Sequence, residues 1–363
     1  MTPEGYLREL VAIDSVSSRS NRPVAEYLAA RLIPLGFRVD LHPAGPDKVN
    51  LVARHGPDRN GGLALVAHTD TVPYDPGWGE ALTLTERDGR LYGRGAVDTK
   101  AGLACALAAV HALPLDRLKE PLLLVATADE EIGCLGARRL MDEKAVAPAH
   151  ALVAEPTGLT PVRAHKGYWA AECEVLGQEG HSAYPETGVN AILHAARLLT
   201  ALEDIAAELQ VEQDPDFDPP FCTLNVGTIS GGRARNVIPG SCRFPVEWRP
   251  LPGQEAQRVA DRIEWAIQEL SIQVDFRVVR RDPAASTPAD APLVRRLEEL
   301  TGHASGSIPF GTELPYLNGL GAQSVVFGPG DIRQAHQTGE FVPRDQLERA
   351  AEVYREVVSR MAL

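Results

Sequence analysis

Five side chains able to ligate a metal stand where apolar runs give way to polar residues. They are His68 in Ala-His-Thr-Asp, Asp98 in Gly-Ala-Val-Asp-Thr-Lys, Glu131 in Asp-Glu-Glu, Glu155 in Val-Ala-Glu-Pro and His336 in Gln-Ala-His-Gln. Two imidazoles and three carboxylates form an N/O donor set suited to zinc or another borderline divalent metal. Amide hydrolysis needs a polarised carbonyl, a nucleophile available at neutral pH and a proton for the leaving amine. A divalent cation serves the first two needs, as a Lewis acid and by acidifying a water. Glu130 is then placed to take the water's proton and return it to nitrogen. Successive side chains on an extended backbone point to opposite sides, so Glu130 and Glu131 can divide the work of base and ligand. Asp70, two residues past His68, suits accepting the imidazole's other N–H, which fixes the ring's tautomer.

Charge balance bears on the number of ions. Three carboxylate ligands carry −3, so one divalent ion leaves −1 in a cleft where unpaired charge is costly. Two ions carry +4 and leave +1 for a hydroxide to neutralise. One carboxylate must then bridge two metals about 3.5–4 Å apart, and Asp98, on a tight Gly-flanked turn between the other ligands, is the candidate.

Short apolar runs at 63–67, 121–127 and 151–154 alternate with helical patterns, one of which, 100–113, is stopped by Pro114. That rhythm predicts a mostly parallel sheet covered by helices, and such sheets bind ligands beyond the carboxyl ends of their strands. His68, Glu130, Glu131 and Glu155 all fall there. The pattern changes near Lys166: a strand-like alternation at 168–176 precedes a helix at 190–209, strands at 222–229 and 242–250, a helix at 254–270 and a strand at 272–279. This βαββαβ order predicts an α+β sandwich, residues 166–281, inserted into an α/β domain made of 1–165 and 282–363. The acidic, Pro-rich stretch 212–220 reads as a loop of the insert, and His336 follows a last apolar run at 324–327.

At 363 residues the chain is long for a single core, which agrees with two domains. Its formal charge of −13 and pI near 5.3 argue against nucleic-acid or anionic-membrane surfaces. The start alternates charged and apolar residues as an amphipathic helix does, and no uncharged apolar stretch is long enough to span a bilayer. Five cysteines without a Cys-x-x-Cys pair read as buried thiols of a reduced, cytoplasmic protein.

Each residue also has a plainer reading. A histidine after an apolar strand can be an ordinary hydrogen-bonded polar group, Asp98 can cap the helix that follows it, a Glu-Glu pair can be solvated surface, and Glu155-Pro156 can open a loop. Their coincidence on one edge of one sheet favours the metal site.

These segments resemble a known family. Ala-His-Thr-Asp-Thr-Val-Pro, Gly-Arg-Gly-Ala-Val-Asp-Thr-Lys-Ala-Gly, Ala-Asp-Glu-Glu-Ile-Gly, Glu-Pro-Thr and Gly-His-Ser-Ala are similar to the co-catalytic di-zinc amidohydrolases. That family includes acetylornithine deacetylase, succinyl-diaminopimelate desuccinylase, aminoacylase and carboxypeptidase G. The resemblance implies a homodimer formed through the insert, which acts as a lid, and two zinc ions for which cobalt can substitute. It implies that Asp98 bridges, that His68 and Glu155 hold one ion and Glu131 and His336 the other, and that a cis peptide follows Asp98. The run Val-Phe-Gly-Pro-Gly-Asp-Ile-Arg-Gln-Ala-His-Gln-Thr-Gly-Glu-Phe-Val is most similar to the branch acting on acetylornithine, a step of arginine biosynthesis. Relatives acting on acetylcitrulline share it; the desuccinylases match at the ligands but lack this run, and a dipeptidase or aminoacylase activity stays open.

The insert carries a second cluster. The resemblance implies that His181 reaches the partner subunit's site as an oxyanion donor, and that Asn236 and Arg249 hold an α-carboxylate, for which a guanidinium fork is suited. Asn236 as a turn former and Arg249 as a solvated strand residue are the plainer readings. Lys166, Gly311 and Thr312 are further candidates for the substrate pocket, and Glu313 either meets an ornithine ammonium or lies at a surface or helix cap. The expected partner is thus a small N-acyl amino acid. A dimeric protein that binds such molecules without cleaving them is the non-enzymatic alternative, against which stand the intact Glu130 and all five ligands.

Overall fold

Strands Leu63–His68 and Leu122–Thr127 are buried at every position, which is why they read as unbroken apolar runs without alternation. They lie side by side in parallel, with Leu63 opposite Leu122 and His68 opposite Thr127. The computed structural model describes residues 1–363 and divides into two units. The first comprises Met1–Arg163, Thr287–Gly306 and Thr312–Leu363; the second comprises Ala164–Ser286 and Ser307–Gly311.

In the first unit the sheet order is Arg38–Gly45, Lys48–His55, Leu122–Thr127, Leu63–His68, His150–Val153, Gln323–Val326 and then Val162–His165, the strand on which the chain leaves this unit. The four strands from Leu122–Thr127 to Gln323–Val326 are parallel, while the Arg38–His55 hairpin and Val162 pair antiparallel at the margins. Helix Lys100–His111 is apolar on nearly all sides because it lies inside, between the sheet and helices Pro3–Val11 and Arg344–Ala362. Leu7, Leu10, Leu65, Leu107 and Val357 belong to the core so formed, each such side chain contributing about 1.5–3 kcal/mol. The helix ends at His111, two residues before the expected 113, because Leu113 precedes Pro114 and is driven out of helical geometry. A Cβ on Gly102 would come within 2.2 Å of the Ala154 Cβ. Only glycine therefore lets the start of this helix settle on the end of strand His150–Val153, beside Glu155.

The second unit is an antiparallel sheet in the order Thr223–Asn225, Ser241–Arg249, Tyr168–Leu176, Gln273–Asp282. Its alternating residues Ala171, Cys173, Val175, Phe244, Val246 and Trp248 are packed with Leu198, Leu202 and Ile205 of helix Ala191–Leu209 and Ile263 of helix Gln257–Glu269. Asn190 caps the longer helix, its side chain accepting the Leu193 N–H at 3.1 Å. The strand expected over 222–229 is shorter. It pairs over Thr223–Asn225, breaks opposite Pro245 and resumes at Ser230–Gly231. Proline has no N–H to contribute to a ladder. The stretch 212–220 is a loop, as expected, and all five cysteines are buried, none of them in a disulfide. No helix is long and apolar enough to cross a membrane.

Candidate metal centre

Parallel register brings three strand ends to one edge of the first unit. His68 closes one strand, Ala128 to Glu131 leave the next, and Ala154 and Glu155 leave the third. Asp98 arrives on the turn before helix Lys100–His111, and its peptide to Thr99 is cis. The Thr99 hydroxyl donates to the Ala154 carbonyl at 3.0 Å, tying this turn to the strand end that carries Glu155.

The two oxygens of Asp98 face two different imidazoles. Oδ1 lies 3.0 Å from His68 Nε2 and Oδ2 lies 3.1 Å from His336 Nε2, which is also 2.9 Å from Glu131 Oε2. His68 is buried; His336 is half exposed, on a segment where it adopts a left-handed φ of 61°. Ligand atoms of His68, Asp98 and Glu131 all lie within 4.8 Å of one another. Glu155 is buried beside this trio, near enough for Asp98, His68 and Glu130 to act on its charge.

Burial raises the pKa of Glu130 to about 8, that of Glu155 well above its ordinary value, and that of Glu131 upward as well. Such a gathering of carboxylates is short of positive charge, and a divalent cation supplies it. The donor set, the convergence of its atoms and the two-sided placement of Asp98 therefore fit a divalent metal centre. His68 faces Oδ1 of Asp98, and His336, which also meets Glu131, faces Oδ2.

Asp70 does more than the sequence indicated. His68 Nδ1 donates to the Asp70 backbone carbonyl at 2.9 Å, with the carboxylate behind it at 3.6 Å. That carboxylate is wholly buried and accepts the Glu130 N–H at 3.0 Å, the Glu131 N–H at 3.4 Å and the Ser17 hydroxyl at 2.7 Å. One side chain thus sets the backbone of both glutamates.

Several supporting residues escaped the sequence reading. Lys48 and Asp129 form a buried ion pair at 2.6 Å, and Asp129 turns the chain with φ 56°. Asn50 accepts the Ala128 N–H and donates to the Gly136 carbonyl, both at 3.0 Å, where a Cβ on Gly136 would strike the Asn50 oxygen at 2.3 Å. Glu340 and Arg94 pair behind Asp98. Asp129 adjoins a motif already in view; Lys48, Asn50 and Arg94 carry no local signal of the contact they make. Cys134 Sγ lies 3.4 Å from Glu130 Oε1.

Thr312 and Glu313 are buried in the first unit, and one Glu313 oxygen is without a hydrogen-bond partner. Burial pushes the Glu313 pKa up to about 7. Neither a surface nor a side-chain helix-capping role fits Glu313, which precedes helix Leu314–Gly319 without a side-chain cap bond. Gly311 belongs to the second unit.

His181 and Asn236 are brought together there. Gly180–His181 pairs with Val237–Ile238, and the Ser182 N–H donates to the Asn236 carbonyl at 3.2 Å. Both side chains are exposed. His181 Nδ1 accepts the Ala183 N–H at 3.1 Å, so the neutral tautomer carries its proton on Nε2. Arg249 stands at the far end of strand Ser241–Arg249, stacked over the Tyr168 ring at 4.2 Å. Nine residues of extended chain span about 27 Å. The expectation that Asn236 and Arg249 jointly grip one carboxylate is therefore not met within a single chain. Lys166 is buried, and its ammonium donates to the carbonyls of Pro219 and Phe221, both at 2.7 Å. It ties down the Pro-rich loop and lines a groove of about 240 Å³ together with Arg249, Glu247 and Phe310.

The sequence profile of Peptidase family M20/M25/M40 matches residues 64–360. The chain belongs to this family and is a metal-dependent amidohydrolase. An acetylornithine deacetylase of Myxococcus xanthus is 52% identical, over 97% of this chain and 96% of its own length. One from Proteus mirabilis is 35% identical, over 98% and 96%. Among solved structures, an aminopeptidase of Bacillus cereus has a TM-score of 0.81 at 20% identity, covering 98% of this chain and 97% of that one. An M20-family metallo-carboxypeptidase of Sulfolobus solfataricus has a TM-score of 0.81 at 18% identity, covering 98% of each. These two share the fold.

Proposed function

We propose that this chain deacetylates N-acetylornithine, releasing acetate and ornithine, a step of arginine biosynthesis in the cytoplasm. The observation that carries the reading is the 52% identity with the Myxococcus xanthus acetylornithine deacetylase over nearly the full length of both chains, joined to a ligand set complete at every position. His68, Asp98, Glu131, Glu155 and His336 would hold two zinc ions, or cobalt in their place, with Asp98 offering one carboxylate oxygen to each side. When bound, they supply Lewis acidity at the carbonyl and acidify the attacking water.

The chain's own residues do the rest. Glu130, raised toward neutrality by burial, takes the proton of the attacking water and delivers it to the departing nitrogen, so that acetate and a free amine result. Asp70 keeps Glu130 and Glu131 in fixed backbone positions while orienting His68. Arg249, with its fork presented beside Tyr168, serves the α-carboxylate, and the Glu313 oxygen without a protein partner serves the side-chain ammonium. We assign the second unit to dimerisation. His181 and Asn236 then act together on the partner subunit's site, His181 Nε2–H donating to the oxyanion, a contact worth about 2.7–4 kcal/mol. The exposure of both side chains and the pairing of the two segments that carry them support this.

Acetylcitrulline is the competing substrate, because it differs only at the side-chain terminus, where an uncharged ureido group would meet Glu313. Steady-state comparison of acetylornithine, acetylcitrulline, acetylmethionine and succinyl-diaminopimelate tests the assignment. A kcat/KM advantage of about 100-fold, roughly 2.7 kcal/mol, for acetylornithine is expected. A larger value for any other substrate would reassign the enzyme.

A further inference from the structure

Glu340 lies four residues beyond His336 and is completely buried. A short antiparallel pairing puts it there: Phe341, Val342 and Pro343 lie opposite Tyr92, Leu91 and Arg90, and the Gly93 N–H donates to the Glu340 carbonyl at 3.0 Å. The chain that has just delivered His336 is thereby stitched to the chain about to deliver Asp98.

The Glu340 carboxylate completes the stitch. Oε1 accepts the backbone N–H of Val97 at 2.9 Å and that of Asp98 at 3.2 Å, while Oε2 accepts Arg94 Nη1 at 2.5 Å. The other Arg94 nitrogen, Nη2, donates to the Pro73 carbonyl at 3.2 Å, and this arginine too is almost wholly buried. Three donors converge on two oxygens, and a charged acceptor makes each of these bonds shorter and stronger than a neutral one would.

We propose that Glu340, locked by Arg94, is a positioning residue that holds the Asp98 turn in register with the His336 loop, so that one carboxylate reaches both halves of the metal centre. The geometry makes the two halves unequal. His68 is buried on a sheet strand and reaches Asp98 Oδ1 from a rigid element; His336 is half exposed, on a loop, and reaches Oδ2. When the stitch loosens, the side shared by Asp98, Glu131 and His336 is the one that drifts. The inference rests on the two-ion reading above.

Glutamine at 340 is a poor replacement despite its shape. Its amide offers one acceptor and one NH₂, so either the Arg94 guanidinium or the two backbone N–H groups would face a donor. Glu340→Gln should therefore weaken the second metal-binding step at least about 10-fold, in the range that supporting hydrogen bonds contribute to metal affinity, with the first step changed less than about threefold. Arg94→Lys, which keeps the charge but cannot span Glu340 and Pro73 together, should lie between wild type and Glu340→Gln.

The test titrates chelator-stripped protein with cobalt(II), reading stepwise uptake from its visible absorption and by calorimetry, beside the unfolding midpoint of the metal-free protein. Selective loss of the second step supports the assignment. A merely structural role would lower the metal-free midpoint and leave both binding steps as in wild type, which would overturn it. Should Glu340→Gln not fold, Arg94→Lys carries the same test. Wild-type protein that takes up one ion only would overturn the two-ion reading and the positioning role with it; two wild-type steps unaltered in both variants would overturn the positioning role alone.

Discussion

Replacing Asp70 by asparagine changes one atom of a buried carboxylate and should disturb the whole centre. In the native chain Oδ1 accepts the Glu130 N–H, and Oδ2 accepts the Glu131 N–H and the Ser17 hydroxyl. An asparagine must turn its NH₂ toward one of these positions. The Ser17 hydroxyl can rotate to accept, but a backbone N–H cannot, so one glutamate amide is left without an acceptor whichever way the side chain flips. An unsatisfied buried donor costs about 1–3 kcal/mol. The stability loss should fall in that range, read as the urea midpoint of metal-free protein, where Asp70→Asn and wild type are compared without bound metal. The charge behind His68 is lost as well, and supporting groups of this kind are worth about 10–100-fold in metal affinity or activity, which is about 1.4–2.7 kcal/mol. We therefore expect kcat/KM to fall by about that factor together with retained metal after dialysis. Normal stability and metal content in Asp70→Asn, with activity intact, would refute the assignment of both glutamates' positions to this side chain.

Glu130→Ala should reduce kcat by roughly 10²–10⁴-fold, the span of general acid–base catalysis, with metal content unchanged; Glu131→Ala should lose metal, and elemental analysis showing the reverse would exchange their roles. His181→Ala should lower kcat with full metal content, and mixing it with Glu130→Ala should restore activity through mixed dimers, since one site then holds an intact Glu130 and the partner's intact His181; inactivity in proven mixed dimers would end the case for action in trans. Burial holds the His165 pKa at about 4, below its ordinary 6.5, so the folded state keeps this ring neutral while the unfolded chain takes up a proton. Its contribution is present above pH 6.5 and is lost as the pH falls toward 4, by roughly 3 kcal/mol in all. Denaturant midpoints of His165→Asn should be flatter than wild type over that window, and parallel curves would exclude the histidine as the cause.

The candidate ligands His68, Glu131 and Glu155 were legible in the sequence because each ends or closely follows a strand whose apolar pattern is local. Runs such as 63–67 and 121–127 announce buried strands, and a parallel sheet must gather their carboxyl ends. The pairing of Glu130 with Glu131 and the alternation at 168–176 were visible for the same reason. The supporting groups were not: Lys48 meets Asp129 across 81 residues, Asn21 meets Thr69 across 48 and Arg94 meets Glu340 across 246. Hydrogen bonds over such separations leave no period to read. The early end of the strand at Asn225 could have been foreseen only by knowing that Pro245 lies opposite the break.

By itself, then, the sequence determined what kinds of atoms are available and which elements end where they stand, since residue type and hydrophobic period are properties of short segments. Tertiary structure alone decided that the two oxygens of Asp98 point to different imidazoles, that Asp70 takes two backbone amides as well as serving His68, that Lys166 is engaged by Pro219 and Phe221, and that Arg249 lies a strand's length from the loop of Asn236. Those outcomes depend on the direction of individual hydrogen bonds and on the register of distant strands, which the chain acquires only when its core closes around them.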